Sequence, residues 1–177
     1  MIHLEEKIVQ ELLKRDYTVT TVESCTGGLL AGCLLNVSGA SGVYREGYIT
    51  YANESKEKLV GVSHETLLQY GAVSEQTARE MAEGAARAAK AEVSLSTTGI
   101  AGPGGGTLEK PVGLVYVGCH IDGQTFVREC HFSGNREENR NAAVEAALGL
   151  LWEKLSYPEK KVEKVLDMTK SLCENKE

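Results

Sequence analysis

The chain has 177 residues, 42% of them hydrophobic and 25% charged. At roughly 150 residues per domain this predicts one globular domain over residues 1–177 with its own core, and excludes disordered or collagen-like classes. Asp and Glu outnumber Lys and Arg by 25 to 19, for a net charge of −6 and a pI near 5.4. Counterion release from a nucleic-acid backbone is therefore not a source of affinity, and no nucleic-acid partner is expected. No apolar run approaches the roughly 20 residues that span a bilayer. The N-terminal stretch Met1-Ile2-His3-Leu4-Glu5-Glu6-Lys7 is acidic and helical in pattern rather than a signal peptide, so no membrane association and a cytoplasmic location are expected. Cysteines at 25, 33, 119, 130 and 173 form no C-x-x-C pair and fit reduced thiols.

In chain order, Leu4, Ile8, Val9, Leu12 and Leu13 recur at helical spacing, which predicts an amphipathic helix ending near Lys14. Residues 17–22 read as a strand, running through Glu23-Ser24-Cys25-Thr26-Gly27-Gly28 into a helical face of Leu29, Leu30, Cys33 and Leu34. Residues 43–51 predict a second strand, and Asn53 is placed to cap a helix through Leu59 that contains Lys56. Ser63, Thr66 and Gly71 bracket a short helix, and Ser74 caps a longer Ala-rich one. Residues 93–98 read as a core strand, followed by a Gly-rich loop to Pro111 whose length points to function or disorder. Residues 114–121 and 125–132 flank Asp122-Gly123, a type I′ turn signal, and predict a hairpin. Asn135 caps a helix to about Leu155, and Pro158 opens a final helix within a 156–177 extension. The apolar face of that extension wants a partner surface, its own domain or another subunit of a homo-oligomer. The alternation plus one hairpin predicts an α/β fold with a mixed sheet covered on both faces.

Ser24 falls where a strand meets a helix start, a place with unpaired N–H groups and a favourable dipole for an oxyanion. In isolation it also reads as an ordinary cap. The four histidines, His3, His64, His120 and His131, form no triad pattern with it. A lysine with a pKa lowered by burial is the alternative base, and Lys56 is the candidate, although its neighbours Glu54, Glu57 and Lys58 read as a solvated run. The loop of residues 99–107 can form an anion-binding nest or be a surface loop; it lacks the Gly-Lys-Ser/Thr of a nucleoside-triphosphate site. Arg136 and Arg140, one turn apart, can add charge to such an anion or simply pair with Glu137 or Glu138. Cys119-His120 and Cys130-His131 suggest a metal site, but the hairpin register separates the two cysteines by about four positions, roughly 13 Å, so no metal site is expected.

Four motifs in series, Glu23-Ser24-Cys25-Thr26-Gly27-Gly28, Tyr51-Ala52-Asn53-Glu54-Ser55-Lys56 with Leu59-Val60-Gly61-Val62, Gly71-Ala72-Val73-Ser74, and Thr98-Gly99-Ile100-Ala101-Gly102-Pro103-Gly104-Gly105, resemble the CinA C-terminal domain family over residues 4–155. The characterised enzymes of that family are nicotinamide-nucleotide amidohydrolases of the PncC type. The resemblance implies a three-layer α/β/α sandwich and metal-free, cofactor-free deamidation of nicotinamide mononucleotide to nicotinate mononucleotide and ammonia. Carried over, Ser24 matches the nucleophile, Lys56 the general base and Tyr51 a hydroxyl of the site. Cys25, Thr26, Gly27 and Gly28 form the turn that supplies oxyanion donors. Thr98, Gly99, Gly102, Gly104, Gly105, Arg136 and Arg140 fall in ligand-contacting regions. The chain departs from the family at Gly134-Asn135-Arg136, where Gly-Asp-Arg is usual; Asn caps a helix as well as Asp does. Functions tied to the molybdopterin-binding-like domain of some members are not transferred. The rival readings are a catalytically silent nucleotide-binding module and a thiol amidase in which Cys25 attacks.

Overall fold

A computed structural model describes residues 3–156. The order is α1 (Leu4–Arg15), β1 (Val19–Glu23), α2 (Leu29–Leu35), a 3-10 turn at Ala40–Gly42, β2 (Tyr48–Ile49), α3 (Asn53–Val60), α4 (His64–Tyr70), α5 (Glu75–Ala89), β3 (Val93–Gly99), β4 (Leu114–Ile121), β5 (Gln124–His131) and α6 (Arg136–Ser156). The five strands form one sheet in the order β2-β1-β3-β4-β5, with β2, β1 and β3 parallel and β4 and β5 antiparallel. Helices cover both faces, as an α/β sandwich with a mixed sheet requires. The final helix expected from Pro158 onward lies outside the described residues.

Side-chain alternation along the strands divides the core in two. Val19, Val93, Leu95, Val117 and Cys119 point to the face covered by α1, α2 and α6, where Ile8, Leu12, Leu34, Ala147 and Leu151 complete a large apolar cluster. The opposite face is covered chiefly by α5, with Val22, Val60, Val62, Leu67, Met81 and Ala85 as a smaller cluster. The small residues of α5 permit close approach. A Cβ at Gly84 would stand 1.8 Å from the Val60 carbonyl oxygen, so this glycine sets how near α3 lies to α5.

Several local expectations change. The strand predicted over residues 43–51 shrinks to Tyr48–Ile49, with an isolated bridge between Tyr44 and Val19. Between them the chain leaves the ladder because side chains of β1 bind it instead: Thr20 Oγ1 donates to Glu46 O at 2.9 Å and Thr21 Oγ1 bonds Tyr44 Oη at 2.8 Å. Asn53 is the first residue of α3 rather than its cap; Ala52 holds the cap position, and its carbonyl accepts from Lys56 N. The start of α4 is capped in trans, by a carboxylate of α5: Glu80 accepts from Ser63 N at 2.7 Å and from Thr66 Oγ1 at 2.6 Å. Ser74 and Asn135 cap as expected. Glu138 reaches back to Asn135 N, which completes a capping box at the start of α6. The hairpin has the expected register, Ile121 opposite Gln124 and Cys119 opposite Phe126, with positive φ at both Asp122 and Gly123.

Candidate active site

The parallel strands β2, β1 and β3 end at the same edge of the sheet, and the chain leaves β1 toward β2 but leaves β3 toward β4. A crevice opens outside the carboxyl ends of such strands, where open α/β sheets bind ligands. Three segments meet there. The turn after β1 carries Ser24, whose N–H extends the ladder by donating to Thr97 O at 2.9 Å. The turn is tight enough to need positive φ at Gly27 and Gly28. Beyond β2, Thr50 N donates to Glu23 O at 2.8 Å, and α3 follows with Lys56. The Gly-rich loop after β3 closes the third side.

Lys56 is 1% exposed, so the solvated alternative suggested by its charged neighbours is overturned. Its place in α3 turns it inward while Glu54, Lys58 and Leu59 remain outside. Nζ donates to Ser24 Oγ at 3.2 Å and to Thr50 O at 2.7 Å. Burial lowers its pKa below the ordinary lysine value, an effect opposed in smaller part by the nearby Cys25 sulfur. Ser24 is 9% exposed and opens onto a cavity of about 280 Å³ that Lys56, Tyr51, Thr98, Gly102 and Arg136 also line. A lysine amine whose charged form is disfavoured by burial, beside a serine hydroxyl, is the arrangement a Ser/Lys acyl-transfer site needs. Cys25 lines the same cavity, but burial pushes its thiol up to about 11, which disfavours the thiolate that a cysteine nucleophile requires.

The other sequence-predicted residues separate into two groups. Tyr51, 63% exposed, stands at the mouth, where its hydroxyl accepts from Arg136 Nη2 at 3.3 Å; Arg136 Nη1 donates to Gly102 O at 2.7 Å. Gly99, Gly104 and Gly105 line the cavity with them. Thr98 Oγ1 donates to Ala72 O at 2.6 Å, which ties the segment before α5 to the cavity wall. Thr26 serves the frame, and Arg140 braces it while also lining the larger cavity that adjoins the first. The Thr26 side chain is fully buried, bonded to Glu23 and Thr97, and Arg140 donates to the carbonyls of Cys25 at 3.0 Å and Thr26 at 2.7 Å. The Gly28 N–H is likewise occupied by Glu23 Oε2 at 2.9 Å. Neither arginine pairs with Glu137 or Glu138 among the described residues.

Sequence reasoning missed Asn139, which is buried, accepts from Gly134 N and donates to Ala101 O at 3.0 Å, fixing the Gly-rich loop to α6. It also missed the acceptor Thr50 and the carboxylate of Glu23. The buried asparagine at the first turn of a well-capped helix is the one of these with a visible signal. A larger cavity of about 780 Å³ adjoins the first, shares Ala101, Gly102 and Arg136 with it, and is otherwise walled by Leu29, Pro103 and Val112 among others. It does not reach Ser24 or Lys56. Among the described residues no group of three or more His, Cys, Asp or Glu side chains is placed to hold a metal ion, and no helix is long and apolar enough to cross a membrane.

The fold is similar to solved structures of the CinA superfamily. A crystal structure of the competence-damaged protein (CinA) superfamily from Escherichia coli matches with a TM-score of 0.82 and 40% identity, covering 84% of this chain and 87% of that one. A competence/damage inducible protein from Agrobacterium tumefaciens matches with a TM-score of 0.80 and 40% identity, covering 88% and 98%. In sequence, a protein of Clostridium botulinum named as competence-damage inducible is 55% identical over 148 residues, 84% of this chain. The chain spans only 36% of the length of that relative. The family model of the CinA C-terminal domain matches residues 1–155, and the chain belongs to that family.

Proposed function

We propose that the protein is an amidohydrolase that deamidates nicotinamide mononucleotide to nicotinate mononucleotide and ammonia through an acyl-enzyme on Ser24. The single observation that carries this reading is the buried amine of Lys56 at 3.2 Å from Ser24 Oγ. Ser24 Oγ attacks the carboxamide carbon while its proton passes to neutral Lys56, whose other contact, to Thr50 O, keeps the amine aimed. The tetrahedral oxyanion is met by amides nearer Ser24 than Gly28, those of Cys25, Thr26 and Gly27, because Gly28 N–H is held by Glu23. The C–N bond then breaks, Lys56 returns the proton to the departing ammonia, and water cleaves the ester with the same amine as base. These steps require no metal or cofactor. The pyridinium end of the substrate occupies the smaller cavity, and its ribose phosphate extends past Arg136 toward the larger one. The partner on this reading is a small molecule rather than nucleic acid, and the reaction takes place in the cytoplasm.

The test is ammonia release from nicotinamide mononucleotide in metal-free buffer by wild type, Ser24→Ala and Lys56→Ala. Release by wild type, with losses of about 10³-fold or more in both variants and binding retained in Ser24→Ala, is expected. Binding without release by the wild type would overturn the reading in favour of a silent nucleotide-binding module.

A further inference from the structure

Glu23 ends β1, takes no part in the chemistry above, and is 1% exposed. Its carboxylate accepts from five donors. Oε2 takes Thr26 Oγ1 at 2.6 Å, Gly28 N at 2.9 Å and Leu30 N at 3.1 Å; Oε1 takes Ala31 N at 2.8 Å and Thr21 Oγ1 at 3.2 Å. An N-terminal cap needs no more than a serine or aspartate at the cap position itself. Here that position is Gly28, which has no side chain to offer, and the carboxylate comes from five residues earlier. The contact ties the end of β1 directly to the start of α2, and only the turn carrying Ser24 lies between the two tethered ends.

The same residue reaches the other half of the pair. Its main-chain oxygen accepts from Thr50 N, and Thr50 O accepts from Lys56 Nζ. A third path runs through Thr26 Oγ1 to Thr97 Oγ1, on the residue whose carbonyl holds Ser24 N. We infer that Glu23 is the positioning residue of the site: its carboxylate closes the 24–27 turn so that Ser24 Oγ meets Lys56 in one geometry. The inference takes Ser24 as nucleophile from the reading above, but not the identity of the substrate.

The experiment measures the rate at which a fluorophosphonate probe phosphonylates Ser24 with loss of fluoride, located by mass spectrometry, beside kcat and KM for ammonia release. Glu23→Gln keeps the size of the side chain and sets an amide donor against the N–H groups of α2. Misplacement of a nucleophile by about 1 Å costs about 100-fold. Labelling and kcat are therefore expected to fall by about 30-fold to 100-fold, with KM within about twofold and the pH inflection of Lys56 unmoved. Wild-type labelling by the folded variant, with only its melting temperature lowered, overturns the inference and leaves Glu23 a simple cap. Should Glu23→Gln not fold, Thr26→Val removes one of the five donors. Labelling at least about fivefold slower is expected there, and wild-type labelling again overturns the inference. A wild type that labels at Ser24 yet releases no ammonia defeats the substrate assignment and leaves the labelling comparison to decide the role of Glu23. A wild type that does not label defeats the inference.

Discussion

Among the described residues, two regions offer an instructive contrast in residues capable of chemistry: one brings them together and the other does not. At the carboxyl ends of the parallel strands, Ser24, Lys56 and Thr98 come from three separate segments and line one cavity. In the β4–β5 hairpin, Cys119, His120, Cys130 and His131 are close in sequence and remain dispersed. Cys119 pairs with Phe126 and Cys130 with Val115, four positions along the ladder. The hairpin residues are spent locally: burial pushes the Cys119 thiol up to about 12, His120 bonds Thr125, and His131 pairs with Glu129. Strands spread side chains along their length and to alternate faces, whereas strand ends with diverging loops converge side chains on a point. Proximity in sequence is a poor guide to a site in a sheet, and shared strand ends are a better one.

The largest effect that sharpens this contrast lies at Lys56. Arginine stays charged at any accessible pH, so Lys56→Arg is expected to lose about 10³-fold in kcat across the pH range. On the proposed mechanism the neutral amine is the active form, so kcat/KM is expected to rise with pH and level off above an inflection below the ordinary lysine value. A flat profile would break the assignment of Lys56 as base. Stability follows the same sign. Burial places the folded pKa below the unfolded one, the unfolded chain binds more protons between the two values, and stability rises with pH in that window. Urea midpoints measured across alkaline pH should show this rise in wild type and lose it in Lys56→Met.

A smaller effect tests how α3 is held. Gly84→Ala would drive a Cβ to within 1.8 Å of Val60 O, so α3 must shift against α5. A loss of about 1–3 kcal/mol is expected in urea unfolding, together with a lower kcat, because α3 carries Lys56. Unchanged kcat at reduced stability would mean that Lys56 is placed by Ser24 and Thr50 rather than by the helix. Asn135→Ala removes the cap of α6 and should cost about 1 kcal/mol, while Asn135→Asp should change stability little. The second variant introduces the aspartate that the resemblance implies at this position and shows whether the difference matters to turnover. Smallest of all, Cys130→Ser should leave ammonia release unchanged, and any large loss would show that the hairpin is coupled to the strand ends.

Much of this was legible in the chain. The 3.6-residue period of Ile8, Val9 and Leu12, the Asp122-Gly123 turn and the Asn135 cap are local signals, and each element they announce is present. The place of Ser24 at a strand-to-helix turn was legible for the same reason. Lys56 was not legible from spacing, because Glu54, Glu57 and Lys58 describe the exposed side of its helix and say nothing of the side that packs inward. The need for a base in place of histidine made Lys56 a candidate, and the resemblance to the CinA C-terminal domain family, not periodicity, matched it to the general base. The strand expected over residues 43–51 failed because β-branched and aromatic content does not reveal that Thr20 and Thr21 bind the departing chain through their hydroxyls.

The sequence by itself determined the α/β class, the order of the elements and the turns that join them, since helix period, strand alternation and cap chemistry act over a few residues. Only the tertiary structure decided that Lys56 is buried against Ser24, that Glu23 fills the start of α2 from within the sheet, and that Arg140 braces the turn carrying Ser24. Those contacts span from five to 115 residues of chain. Their partners are chosen by packing two faces of a sheet at once, and no local pattern encodes that choice.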